Sequence, residues 1–337
     1  MQTKPRTKYL AGLGVFAVAL IGILAYNPLN YVYHADGPPA ATFDEFLNQK
    51  LAASKAVGAR PANEERLVRF SAPGEKTKLA ILYIHGFGAS RGEGEAVVDV
   101  IAKEFQANTY YMRLPGHGAN KEDHARTQYT DYIDAVEEAF AMMPQLGERT
   151  IIIGASTGGL LGTYLASKYP DRVYALIMAS PFYEFKDPAS AIFTIPGGML
   201  VVNAAFGEIR DAGWPVEPEN RKQPGYEDHW LTTQYYSALK PLAELRKYIV
   251  DDDTFGRITS PSLMLYYYKD ETHQDESVDV AAMLAAFAKF GTLNGGANPN
   301  NQAVAIADGN HILLSEFVRT DKTLILNSIR DFLHPLE

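Results

Sequence analysis

The stretch Thr150-Ile151-Ile152-Ile153-Gly154-Ala155-Ser156-Thr157-Gly158-Gly159 constrains this chain more than any other. A β-branched run, which favours extended backbone, ends in Gly-x-Ser-x-Gly, and a helix-like segment follows. That is the context of a nucleophile elbow, a serine on a turn so sharp that its neighbours must be small. Gly154 and Gly158 let the backbone and the following helix pack closely and leave the Ser156 hydroxyl above the sheet. The motif names a nucleophile, a reaction class and a fold together.

Apolar runs at 79–84, 109–112, 150–153, 173–178, 263–267 and 303–306 read as strands. Helical patterns at 94–105, 130–143, 160–168, 280–290 and 322–332 lie between or after them. Most of the strand runs are continuous rather than alternating, as strands covered on both faces are. This predicts an α/β fold, a mostly parallel sheet with helices on both faces. Residues 181–261 break the alternation. About eighty residues rich in Pro, Gly and aromatics are too many for a helix-to-strand connection. They are expected to form an inserted cap over the C-terminal edge of the sheet, where open α/β sheets bind ligands. A structural excursion away from that edge is the competing reading.

The 337 residues are 47% hydrophobic and 21% charged, enough to bury an ample core. A net charge of −9 argues against nucleic acid, because little is available to displace phosphate counterions. The absence of cysteine excludes disulfides, a thiolate nucleophile and Cys-ligated metal. No HExxH, P-loop or dinucleotide fingerprint occurs, so neither a metal nor a cofactor is expected. At the N-terminus, Lys4, Arg6 and Lys8 precede the uncharged segment Tyr9 to Tyr26. As a helix it would rise ~27 Å, about one hydrocarbon core. The positive flank should stay cytoplasmic. The expected division is a cytoplasmic tip with a signal-anchor transmembrane helix at 1–26, a linker at 27–62 with helical pattern at 43–56, and the main domain at 63–337, its cap at about 181–261. That makes a single-pass membrane protein with its main domain extracytoplasmic. Secretion after signal cleavage is the alternative, although the small triplet Ala17-Val18-Ala19 lies within the apolar segment rather than after it.

A serine nucleophile needs a base, and a carboxylate to orient that base. His311, in Asp308-Gly309-Asn310-His311, follows the last strand and fits the order serine, acid, histidine that an elbow of this type takes. The acid should follow the strand at 263–267, where two candidates stand. Strand register favours Asp270. Helical register favours Asp275, with Val278 turned inward and Asp279 capping the next helix. Oxyanion donors are expected from the Thr157 amide, directly after the nucleophile, and from the Phe87 amide in His85-Gly86-Phe87-Gly88. The loop Arg113-Leu114-Pro115-Gly116-His117-Gly118 reads as structural, fixing the chain beside the oxyanion loop.

Taken together, HGFG at 85–88, RLPGHG at 113–118, GASTGG at 154–159 and GNH at 309–311 resemble the α/β-hydrolase superfamily, nearest its monoglyceride-lipase-like and serine-aminopeptidase-like hydrolases. The resemblance covers roughly residues 65 to 335. It implies the α/β-hydrolase fold and a serine hydrolase of carboxylic esters, such as monoacylglycerol, lysophospholipid or short acyl esters. The partners expected are a small-molecule or lipid ester and, through the N-terminal helix, a membrane. The stretch Tyr266 to Val278 is longer than the family's usual acid turn, which leaves both aspartates in play. Two other readings stand beside this one: a non-catalytic, membrane-tethered binding protein on a hydrolase scaffold, and a serine peptidase of the same fold.

Overall fold

The computed structural model describes residues 29–35, 40–212 and 221–336. The segment 1–28, and with it the expected transmembrane helix, lies outside them. Among the described residues no single helix is long and apolar enough to cross a membrane.

The described elements begin with α1 (Phe43–Ala56), β1 (Arg66–Val68) and β2 (Thr77–Ile84). Then come α2 (Glu95–Glu104), β3 (Asn108–Tyr111), α3 (Lys121–Arg126), α4 (Tyr129–Met142), β4 (Gly147–Ala155), α5 (Thr157–Lys168) and β5 (Val173–Ala179). The long segment after β5 holds α6 (Gly198–Phe206), β6 (Ile209–Asp211), α7 (Tyr226–His229), β7 (Thr233–Tyr235), α8 (Leu239–Ile249) and α9 (Asp252–Gly256). The chain returns to the sheet as β8 (Ser262–Asp270) and continues through β9 (His273–Gln274), α10 (Val280–Phe287), β10 (Gln302–Ile306) and α11 (Lys322–Leu333).

The main sheet runs β1-β3-β2-β4-β5-β8-β10, with β9 paired to β8. The pairings from β3 to β10 are parallel, and β1 pairs antiparallel with β3. β1 is too short to read from the sequence, because three residues give no periodicity to count. The central β4 lies between β2 and β5, with Ile152 opposite Leu82 and Leu176. Successive side chains of a strand face opposite ways, and the core divides accordingly. Leu82, Ile152, Leu176 and Met264 pack with α4, α5 and α8 on one face. Ile81, Ile151, Ile153 and Leu263 pack with α2 and α11 on the other. This double cover is why the strands are apolar at consecutive positions.

The helix α1 begins at an N-cap, where the Thr42 hydroxyl accepts from Glu45 N–H at 3.1 Å. Its Phe43 and Phe46 are buried against Tyr110 of β3, with ring centroids 5.2 and 5.7 Å away. The helical pattern at 43–56 is therefore packed onto the main body.

Candidate functional site

At Ser156 the backbone takes φ 50° and ψ −112°, a conformation that L-residues avoid, between the end of β4 and the start of α5. The seat of this turn depends on Gly158: a methyl placed there would lie 1.9 Å from the Ile84 carbonyl oxygen. Only a missing side chain lets the start of α5 press so closely against the end of β2. The same contact brings the loop that follows β2 alongside the serine. A methyl built on Gly86 would sit 3.2 Å from Ser156 Cβ. Phe87 follows directly, and among the described residues neither its N–H nor that of Thr157 has an acceptor. Both amides are therefore available to an incoming oxyanion.

His311 Nδ1 lies 2.7 Å from Asp275 Oδ2, and both side chains are buried. Asp275 is held in turn, its Oδ1 accepting from Ser277 N–H at 2.9 Å and Val278 N–H at 3.0 Å. Val278 is buried, and the Asp279 side chain caps α10 by accepting from Ala282 N–H at 2.7 Å. Asp270 lies elsewhere. It ends β8 in an exposed hairpin with β9, where it binds the His273 ring at 2.8 Å and accepts from Thr272 and His273 N–H. Hydrogen bonds from the side chains of Thr272 and His273 hold its carboxyl below the usual range. The two-stranded hairpin accounts for the extra length between Tyr266 and Val278. Of the two aspartates, the structure brings Asp275 to His311.

Burial works against the charged form of His311, but the charge and hydrogen bond of Asp275, with a contribution from Glu93, outweigh it. Its pKa stands above the ordinary imidazole value. The three histidines near the oxyanion loop behave oppositely. Burial pushes His85 down to about 4, His124 down to about 3 and His117 well below its usual value. His85 Nε2 accepts from Leu114 N–H at 3.0 Å, and His117 Nδ1 lies 2.8 Å from the Pro115 carbonyl. Together with Phe87 their rings form a cluster of tilted and edge-to-face contacts, centroids 4.5 to 5.7 Å apart. His117 thus supports the loop, as its Pro-Gly-His-Gly context suggested.

Ser156 and His311 line one cavity of about 450 Å³, walled by apolar side chains that include Phe87, Phe182, Trp230 and Leu242. Trp230, Tyr236, Leu239 and Leu242, all from the long segment after β5, line it. The exposed acids Asp187, Asp211 and Glu276 also border the cavity. Another cavity, of about 570 Å³, lies where β4 and β5 begin, lined by Arg149, Thr150, Pro170 and Val173, and contains none of the candidate residues.

Residues 80–205 match the family model described as the alpha/beta hydrolase fold. Among curated proteins, the thermostable monoacylglycerol lipase of Bacillus sp. (strain H-257) is 32% identical over 97 residues, 29% of this chain and 38% of that protein. Mouse protein ABHD8 is 29% identical over 270 residues, 78% of this chain and 57% of that protein. The chain thus spans about two fifths and just over half of these relatives. A solved chain from the study of LipS and LipT, two metagenome-derived lipolytic enzymes, superposes with a TM-score of 0.64 at 17% identity, covering 82% of this chain and 99% of that one.

Residues 80–205 carry the alpha/beta hydrolase fold.

Two groups at the site escaped the sequence reading. Glu93, buried beside the oxyanion loop, is one. Its signal was a carboxylate between two glycines, Gly92 and Gly94, just after HGFG. The other is His124, which joins the histidine cluster through a short helix that carries no motif of its own.

Proposed function

We propose that this chain is a serine hydrolase of carboxylic esters, acting through an acyl-enzyme on Ser156. The observation that carries the reading is His311, bonded to the buried Asp275 and lining one cavity with the strained Ser156. Ser156 Oγ attacks the acyl carbon while His311 Nε2 takes its proton. Asp275 holds the Nδ1 proton and stabilises the imidazolium. The amides of Phe87 and Thr157 receive the oxyanion. His311 then protonates the leaving alcohol, and water cleaves the acyl-enzyme by the reverse sequence. An apolar cavity beneath an aromatic cap suits an acyl chain, and likeness to a monoacylglycerol lipase supports a lipid or short acyl ester as substrate.

The expected division of the chain is carried forward with this reading: an anchor at 1–26, a connector at 27–62 that includes the docked α1, and a hydrolase domain at 63–337 with its cap at about 181–261. Membrane tethering with the domain extracytoplasmic is part of the proposal. Leu29, next to the apolar N-terminal segment in sequence, lines one surface cavity with Ile195, Met199 and Leu200 of the insertion. Leu200 is 76% exposed there, and Val201 and Phe206 are exposed beside it. Such a surface suits apposition to lipid.

One observation favours a second reading. Among the described residues three acids, Asp187, Asp211 and Glu276, border the cavity against one cation, Arg210, and that excess of negative charge would favour a cationic amine substrate of a serine peptidase. Aminoacyl p-nitroanilides assayed beside p-nitrophenyl esters of graded chain length separate the two. The central test is Ser156→Ala. It should abolish ester turnover and fluorophosphonate labelling while the far-UV spectrum and melting temperature stay near wild type. Near-wild-type turnover in the purified variant would remove Ser156 as nucleophile. A wild-type protein that is neither labelled nor active would favour the non-catalytic scaffold.

A further inference from the structure

The buried carboxyl of Glu93 has no part in the mechanism above. It is 4% exposed, at the end of the short 3₁₀ turn Arg91–Glu93 that follows the oxyanion loop. Its Oε2 accepts a hydrogen bond from Gly86 N–H, one residue before Phe87. A methyl built on Gly86 would touch Glu93 Oε1 at 2.9 Å on one side and Ser156 Cβ at 3.2 Å on the other. The carboxyl is thus held against the nucleophile's loop and lines the same cavity as Ser156 and His311. Burying a carboxylate is unfavourable without compensation. A glutamine could take the same hydrogen bond at less cost, so loop support alone does not explain an acid here.

We propose that Glu93 is a second carboxylate serving His311, acting with Asp275 to stabilise the imidazolium that forms as Ser156 is deprotonated. It works through His311 and so is a positioning residue rather than a catalytic one. The titratable groups facing Glu93 are His311, Tyr83 and Tyr226. His311 is bonded to Asp275 and shares the cavity wall with Glu93, and both charges favour its protonated form. Burial raises Glu93 to about 7, against the opposing pull of the Gly86 amide and the charge of His311. The group is therefore charged above about pH 7. The negative charge of Glu93 raises the His311 pKa, so removing it should lower that pKa.

The inference rests on the serine hydrolase reading, and the test separates the two. Glu93→Gln and wild type are compared in fluorophosphonate labelling and in ester turnover from pH 5 to 9. The acid limb of kcat/KM should move down by about one pH unit in Glu93→Gln, and kcat should fall by up to about tenfold with little change in KM. An unchanged acid limb, whether activity is kept or lost, overturns the proposal and leaves Glu93 as a support for the loop. A wild-type enzyme without labelling or turnover fails the underlying reading instead. Should Glu93→Gln not fold, the wild-type His311 ring is followed by NMR. A second inflection near pH 7 in its titration, as coupled sites produce, supports the proposal, and a single-site curve overturns it.

Discussion

The Asp275 carboxylate spends one oxygen on His311 and the other on two backbone amides, so it cannot turn away without losing buried hydrogen bonds. Under the proposed mechanism, Asp275→Asn should lower kcat by up to ~10⁴-fold, as loss of a tautomer-fixing carboxylate does in serine proteases. Asp270→Asn should be mild, because its partners are the exposed Thr272 and His273. Measuring both variants against one activated ester checks this, and a severe loss at Asp270 with little change at Asp275 would reverse the roles. The pH dependence follows from the same pair. His311 must be neutral to accept the Ser156 proton, and Asp275 holds its pKa above the ordinary value of 6.5. Activity should therefore rise with pH along a limb centred above 6.5. In Asp275→Asn burial is left as the larger influence, and the limb should fall to lower pH. A wild-type limb centred well below 6.5 would contradict the geometry.

Among the elements, the junction of β4 and α5 carries the most concentrated constraint. Gly158 is the point where α5 meets the backbone of β2, and backbone cannot rotate aside as a side chain can. Gly158→Ala should cost about 3 kcal/mol or more, by overpacking against Ile84, and should reduce activity in whatever fraction still folds. Urea denaturation gives the first quantity, and turnover per labelled serine the second. A loss below about 1 kcal/mol would mean that α5 can shift freely, contrary to its burial. The helix α1 shows a different dependence. Its pattern was legible, but its packing comes from Phe43 and Phe46 meeting Tyr110, which lies more than sixty positions along the chain.

On the scale of the whole molecule, the insertion both lines the cavity and presents apolar residues outward, with Leu29 at its flank. Under the proposed tethering, full-length protein should fractionate with membranes and resist extraction by salt or carbonate. A variant lacking residues 1–28 should retain ester turnover, because α1 and the described body form their own core. Full-length protein in the soluble cytoplasmic fraction would remove the anchor from the proposal.

The sequence by itself determined the alternating α/β order, the mostly parallel sheet, the elbow at Ser156 and the candidates His311, Phe87 and Thr157. These are local signals: β-branched runs, glycines at close approaches and fixed offsets from strand ends. Strand ends were less legible. β4 begins three residues before its apolar run and β8 extends three beyond, because hydrogen bonding to a neighbouring strand extends a strand into polar sequence. Only the tertiary structure distinguished Asp275 from Asp270. Both follow the same strand, and the β8–β9 hairpin that turns one toward His311 and the other toward His273 is a matter of three-dimensional register. Glu93 was also beyond the sequence's reach. A carboxyl in a glycine-flanked turn reads as solvated until the fold surrounds it with Gly86, Ser156 and His311, and the desolvation that alters its chemistry is a property of that enclosure.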